Sequence, residues 1–234
     1  DDLVKVGNDR ICNEYPIEIL YCKNCFTAHQ HYQVPKHELF PESYHYRARF
    51  TADVLSGMKN LVDSCENQHG NLKDKKILDI GCNDGSLLSF FKTKGAKTIG
   101  IEPTGAFLDA KEKGHIVYND YLSLKTCNEI KKNFGELDVI TFTNVFAHID
   151  NIDEVLLSIY NLLENDGIFI SESHYLQTLV EQNQYDTIYH EHLRYYSLSS
   201  LEYLFNKHGM EIIRAKKINT HGGSIRVYAT KKNT

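Results

Sequence analysis

The chain switches repeatedly between two hydrophobic periods. Ile17-Glu18-Ile19-Leu20-Tyr21 alternates and reads as a short strand. From Tyr44 to Cys65, Phe50, Val54, Leu55, Met58, Leu61 and Val62 recur at spacings of three and four, which predicts an amphipathic helix. The polar run Asn67–Lys76 reads as a connector. Beyond it, short apolar runs alternate with helical patterns. Strands are predicted at 76–81, 97–102, 115–118, 137–142, 167–172, 211–217 and 224–230. Helices are predicted at 86–94, at 104–113 with Thr104 as its cap, at 152–163 and at 199–208 before Gly209.

This order predicts an α/β fold, a doubly wound, seven-stranded, mostly parallel sheet of the Rossmann-like kind with right-handed crossovers. Residues 1–42 carry three of the four prolines and read as a small, loop-rich N-terminal module, with the α/β domain over 43–234. In such a sheet the ligand sits beyond the carboxyl ends of the strands, where strand order reverses. Candidate chemistry is found there.

The sharpest motif is Ile77-Leu-Asp79-Ile-Gly81-Cys82-Asn83-Asp84-Gly85, between the first strand of the sheet and its first helix. Gly81 and Gly85 suit a tight turn and a close ligand. A dinucleotide requires G-x-G-x-x-G, and here Asn83 stands in the second glycine's place. Asp79 and Asp84 would repel a pyrophosphate but suit an ammonium. The loop therefore favours S-adenosylmethionine, a zwitterion with a cationic sulfonium. Glu102 ends the second strand and suits a ribose diol. Asp120 and Tyr121 after the third can meet adenine. Asn144 after the fourth borders the methionine portion. Cys82, among acidic neighbours, reads as a packing residue.

Composition narrows the partners. A net charge of −5 argues against a phosphate grip on nucleic acid. No apolar run reaches the roughly 18–20 residues of a membrane span, and six scattered cysteines suggest reduced thiols. The expectation is a cytoplasmic protein acting on a small molecule. Its oligomeric state is not legible.

Beyond the cofactor loop, three segments carry a family likeness: Gly100-Ile-Glu-Pro-Thr104, Tyr189-His-Glu-His192-Leu-Arg-Tyr-Tyr-Ser-Leu198, and His221-Gly-Gly-Ser-Ile-Arg226. Over about residues 15–230 the chain resembles sugar C-methyltransferases, which use S-adenosylmethionine to methylate a nucleotide-linked keto-deoxysugar. The resemblance implies a class I methyltransferase domain behind a zinc-binding module, with a C-terminal domain that grips the sugar nucleotide. This chain stops just after the His-Gly-Gly-Ser strand. It also shows one Cys-x-x-Cys, Cys22 and Cys25, where the family uses two pairs, so a structural zinc has half its ligands, with Cys12, His29 and His31 as nearby candidates.

By the same resemblance Tyr189, Glu191, His192 and His148 match active-site positions. His192 is the expected base, because an unperturbed imidazole titrates near neutrality. Glu191 would orient it or hold a hydroxyl, and Tyr189 would donate to a developing oxyanion. His221 is expected in the same pocket, and Tyr44–Arg47 is expected to lie over it. The same residues would also serve O-methylation of a sugar hydroxyl or of a small phosphorylated metabolite of surface-polysaccharide biosynthesis. A reading of another class is a non-catalytic partner subunit.

Overall fold

A computed structural model describes residues 14–40, 44 and 46–232. An N-terminal hairpin, β1 (Ile19–Tyr21) and β2 (Ala28–Gln30), is followed by the single turn α1 (Lys36–Leu39) and the long α2 (Ala52–His69). Then come β3 (Lys76–Ile80), α3 (Ser86–Thr93), β4 (Lys97–Ile101), α4 (Phe107–Glu112), β5 (Ile116–Tyr118), α5 (Leu124–Phe134), β6 (Leu137–Thr143) and α6 (Ile152–Leu162). The chain continues through β7 (Leu163–His174), α7 (Leu176–Glu181), β8 (Arg194–Tyr195), α8 (Leu198–Lys207), β9 (Met210–Ile218) and β10 (Ser224–Lys231).

The seven-stranded sheet has the order β5-β4-β3-β6-β7-β10-β9. Its first five strands are parallel, and β10 runs antiparallel to both β7 and β9. The expected α/β, mostly parallel sheet is the one observed. Strand order reverses between β3 and β6, which places the ligand crevice at their carboxyl ends. Apolar residues cover both faces. Leu78, Ile140, Phe142 and Phe169 pack with residues of α5, α6 and α8 on one side, and Ile77, Val139, Ile170 and Tyr228 pack with Leu61, Leu87 and Phe91 on the other. Adjacent residues such as Ile77 and Leu78 point to opposite faces, as a pleated strand requires.

Several expected boundaries move, each for a local reason. The helix expected from Tyr44 starts at Ala52, after an extended strap and a short 3-10 turn, Ala48–Phe50. Side chains occupy the strap's main-chain groups instead of a helix ladder: Arg47 Nη1 donates to the carbonyls of Tyr44 and Tyr46, both at 2.9 Å, and the Ala48 N–H donates to Asn83 Oδ1 at 3.0 Å. At its other end α2 runs through the expected connector to His69, where Gly70 at φ 80° terminates it. Helix α5 was not expected. It starts at Ser123, whose hydroxyl accepts from the Thr126 N–H, and buries Thr126, Cys127 and Ile130. Thr104 does not cap α4, which begins at Phe107; its hydroxyl donates to Glu102 at 2.6 Å.

A second sheet has the order β1-β2-β8. The N-terminal hairpin thus shares a sheet with a segment from the end of the chain, through Ala28 opposite Tyr195 and His29 opposite Arg194. Part of the expected module, residues 1–13, lies outside the described residues.

Candidate active site

A cavity of about 370 Å³ opens at the carboxyl ends of β3, β4, β6 and β7. At one end lie Asp79, Gly81, Cys82, Asn83, Glu102, Asp120, Tyr121 and Asn144. At the other lie Tyr44, His148, His174, Tyr189, Glu191, His192 and His221. One space therefore brings the two expected residue sets together.

The first end is built by the loop after β3. Gly81 sits at φ 71°, and a Cβ there would stand 2.5 Å from Val145 Cγ2, so the turn tolerates no side chain. Asn83, also left-handed at φ 49°, turns its N–H onto Glu102 Oε2 at 2.9 Å. Glu102 is further held by the N–H and hydroxyl of Thr104. Asp79 is buried, with Thr141 Oγ1 donating to it at 2.7 Å. Burial pushes its carboxyl up to about 7, and Glu102 and Glu172 add to the effect. Asn144 adopts φ 56°, and its Oδ1 is buried without a partner among the described residues.

Two expected ligand contacts fall elsewhere. Asp84 does not line the cavity. Its carboxylate accepts from the Ser86 N–H and hydroxyl at the start of α3, and pairs with Arg49 and Lys113, both at 3.5 Å. Gly85 is likewise outside; at φ 72° it brings α3 against α4, where a Cβ would stand 2.8 Å from His115 Cδ2 and 2.9 Å from Ala110 Cβ. The sequence places both residues next to the loop, but the helix start consumes them.

The sulfonium nucleoside fits what remains. A cation is favoured beside Asp79, an orphaned buried acceptor awaits a donor at Asn144, and Glu102 stands at the end of β4 for a diol. Asp120 accepts from the Tyr121 N–H at 2.7 Å, and Lys36 Nζ lies 4.8 Å from the centre of the Tyr121 ring. Cys82 is buried among carboxylates and its thiol is held well above its ordinary range, so it packs.

At the other end, the segment after α7 brings Tyr189, Glu191 and His192 to the cavity. His192 Nδ1 donates to the Thr187 carbonyl at 2.8 Å, which leaves Nε2 as an acceptor. The Tyr189 hydroxyl donates to it at 3.1 Å. His148 Nδ1 donates to the Glu191 carbonyl at 2.6 Å. Tyr44 donates to Glu191 at 3.4 Å. Burial, then the neighbouring His148 and His174, pushes His192 down to about 3, and burial with His221 and His148 pushes His174 down to about 4. The imidazoles are thus neutral at physiological pH, and His192 does not titrate near neutrality as expected. Burial holds the Tyr189 phenol up to about 12, so it remains a donor.

His174 was missed. Its ring lies 4.7 Å from that of His192 and 5.6 Å from that of His221. The signal was present, since a strand continued two residues past Glu172 ends on it. A zinc at the half-site of Cys22 and Cys25 is not supported. Among the described residues no group of three or more His, Cys, Asp or Glu can hold a metal. His31 instead bonds Glu18 at 2.7 Å, His29 bonds the Gln30 carbonyl, and Cys12 lies outside the described residues.

A methyltransferase domain family matches residues 45–215. The chain belongs to that family. Its central domain is that of an S-adenosylmethionine-dependent methyltransferase. The C-methyltransferase NovU of Streptomyces niveus is 32% identical over 216 residues, which is 92% of this chain and 51% of NovU. The chain spans about half the length of the curated relatives it matches. The magnesium protoporphyrin IX methyltransferase of Synechocystis PCC 6803, solved with S-adenosylhomocysteine bound, aligns at TM-score 0.57 and 16% identity, over 76% of this chain and 83% of that one. The PH0226 protein of Pyrococcus horikoshii OT3 aligns at TM-score 0.61 and 15% identity, over 84% and 98%. At these identities the two structures share the fold. Among the described residues no helix is long and apolar enough to cross a membrane.

Proposed function

We propose that this chain methylates carbon on a sugar-type acceptor, most simply a nucleotide-linked keto-deoxysugar, with Tyr189 and His192 handling the acceptor's proton. The observation that carries this reading is the tautomer of His192. The Thr187 carbonyl accepts a hydrogen bond from the Nδ1–H, so the lone pair on Nε2 faces the Tyr189 hydroxyl inside the cavity that also holds Asp79 and Glu102. The likeness to the C-methyltransferase NovU supports the choice of carbon, and the likeness of the Tyr189–Leu198 and His221–Arg226 segments to sugar C-methyltransferases supports the choice of a sugar.

S-adenosylmethionine would be held by Asp79, Asn144, Glu102, Asp120 and Tyr121, and supplies an electrophilic methyl group. The residues do the rest. Removing a proton from a carbon beside a ketone builds charge on the ketone oxygen. Tyr189, held neutral, can donate to that oxygen or pass its proton to His192 Nε2 as it takes the substrate's. A placed base contributes roughly 10²–10⁴-fold. Glu191 and His148 flank the same space and suit the sugar's hydroxyl groups.

The test combines product mass and proton exchange. Purified protein is given S-adenosylmethionine and a panel of keto-deoxy and fully hydroxylated sugar nucleotides. The expected result is a gain of one CH2 unit on a keto sugar only. With S-adenosylhomocysteine bound in deuterium oxide, the carbon beside the ketone should also exchange, and His192→Ala should abolish both. Methylation confined to hydroxyl groups, or exchange that survives His192→Ala, rejects the reading.

A further inference from the structure

The catalytic segment has little structure of its own. Between the end of α7 and the start of α8 it contains a short 3-10 turn, Tyr185–Thr187, and the two residues of β8. Yet Tyr189, Glu191 and His192 lie on it and must be held to a fraction of an ångström. The restraint comes from the opposite end of the chain. Ala28 and His29 pair with Tyr195 and Arg194. The Gln30 N–H donates to the Leu193 carbonyl at 2.9 Å. His190 Nε2 donates to the Tyr15 carbonyl at 2.8 Å. The Gln30 side chain reaches from the hairpin to the main chain behind the reacting groups. It is 1% exposed, and its Nε2 donates to the main-chain carbonyl of Tyr189 at 3.3 Å.

We propose that Gln30 is a positioning residue, through which the N-terminal hairpin sets the Tyr189 phenol against His192. Its two donors hold the ends of the segment 189–193 that carries the proposed chemistry, one on the Tyr189 carbonyl and one on the Leu193 carbonyl. The backbone donor survives any substitution, so of the two hairpin restraints it is the side chain's that a substitution removes from residue 189. Its carbonyl accepts on a turn, and without Nε2 the one bond left to it among the described residues is the local one from the His192 N–H at 3.0 Å. A Tyr189 free to shift would lose its 3.1 Å contact with His192 Nε2. Misplacement by about an ångström can cost up to roughly a hundredfold in rate. The cofactor end of the cavity touches none of these residues, so its affinity should be untouched.

This inference rests on the proposed role of Tyr189 and His192, and the experiment separates the two. Gln30→Met keeps the bulk and removes the amide. It is compared with wild type, with Tyr189→Phe, and with Tyr21→Ser, an exposed change on the same hairpin. Histidine-selective ¹⁵N NMR needs no acceptor and reports the His192 tautomer and its hydrogen bond to Tyr189. Gln30→Met should broaden or shift the His192 Nε2 signal as Tyr189→Phe does. Its kcat on the keto-sugar panel should fall about ten- to a hundredfold, with S-adenosylhomocysteine affinity and KM for S-adenosylmethionine unchanged. Tyr21→Ser should change none of these. An unshifted His192 signal in folded Gln30→Met, or equal losses in kcat and cofactor affinity, overturns the proposal. If Gln30→Met does not fold, Gln30→Glu takes its place under the same outcomes. Full turnover in Tyr189→Phe would instead reject the catalytic reading, and the NMR comparison would still decide whether Gln30 holds the segment.

Discussion

Under the proposed function, Asp79 would govern how the cavity receives a cation. Burial and two further carboxylates raise it to about 7, so in the ligand-free protein it is partly protonated at neutral pH. A bound ammonium favours the ionised form and lowers that value. Between roughly pH 6 and 7, binding S-adenosylmethionine should therefore release a proton, and affinity should weaken as pH falls below about 7. Calorimetry in buffers of different ionisation heat measures the released proton directly. Asp79→Asn should remove the release and weaken binding by about 1.5–3 kcal/mol, the usual worth of a hydrogen bond to a charged group. A proton count of zero in wild type at pH 6.5 would show that Asp79 is already ionised.

At the scale of elements, the ion pair of Arg226 and Glu172 ties three of them together. Arg226 on β10 donates to Glu172 on β7, to Asn60 Oδ1 at 3.0 Å and to the Gly57 carbonyl at 3.2 Å on α2. It is 1% exposed. Arg226→Met would strand a buried carboxylate and should cost about 3–5 kcal/mol in urea unfolding, while Arg226→Met with Glu172→Gln should recover much of the loss. This also gives the Arg226 of the His221–Arg226 segment, which the sequence marks only by its family likeness, a structural role. The alternating runs revealed the sheet because buried parallel strands leave continuous apolar stretches. Helix α5 was less legible: Thr126, Cys127 and Ile130 form a weakly apolar stripe, although Ser123 and Gly135 mark its ends. The strap's conformation was not legible at all, because side chains of the loop after β3, distant in sequence, bind its backbone. Likewise Asp79 and Glu102 could be placed from their strand ends, whereas Asp84 and Gly85 could not, since their partners Arg49, Lys113, His115 and Ala110 become neighbours only after folding.

Over the whole molecule, the two ends of the cavity respond to acid in opposite directions. His192 and His174 are held down to about 3 and about 4, first by burial and then by neighbouring imidazoles, His148 and His174 for the one and His221 and His148 for the other. In the unfolded chain they titrate near 6.5. Between those values the unfolded state binds more protons, so their contribution to stability is whole above about pH 6.5 and is lost as pH falls toward 4. Asp79 acts the other way. Raised in the folded protein, it makes the native state take up protons as pH falls from about 7 toward its ordinary range, which favours folding. His115, held down to about 4 by burial, and the lowered His148 and His221 act in the same direction as His192 and His174, so the histidines outweigh the one carboxyl and the melting temperature should decline from about pH 7 to about pH 5. His174→Gln should reduce the acid slope, both by removing one titrating ring and by relieving His192 of a neighbour 4.7 Å away. Saturating S-adenosylhomocysteine should steepen the decline, since its ammonium needs Asp79 ionised. Thermal melts at constant ionic strength across this range, with and without that ligand, test both ends of the cavity in one experiment. A flat profile in wild type would mean that the histidines already carry protons in the folded state.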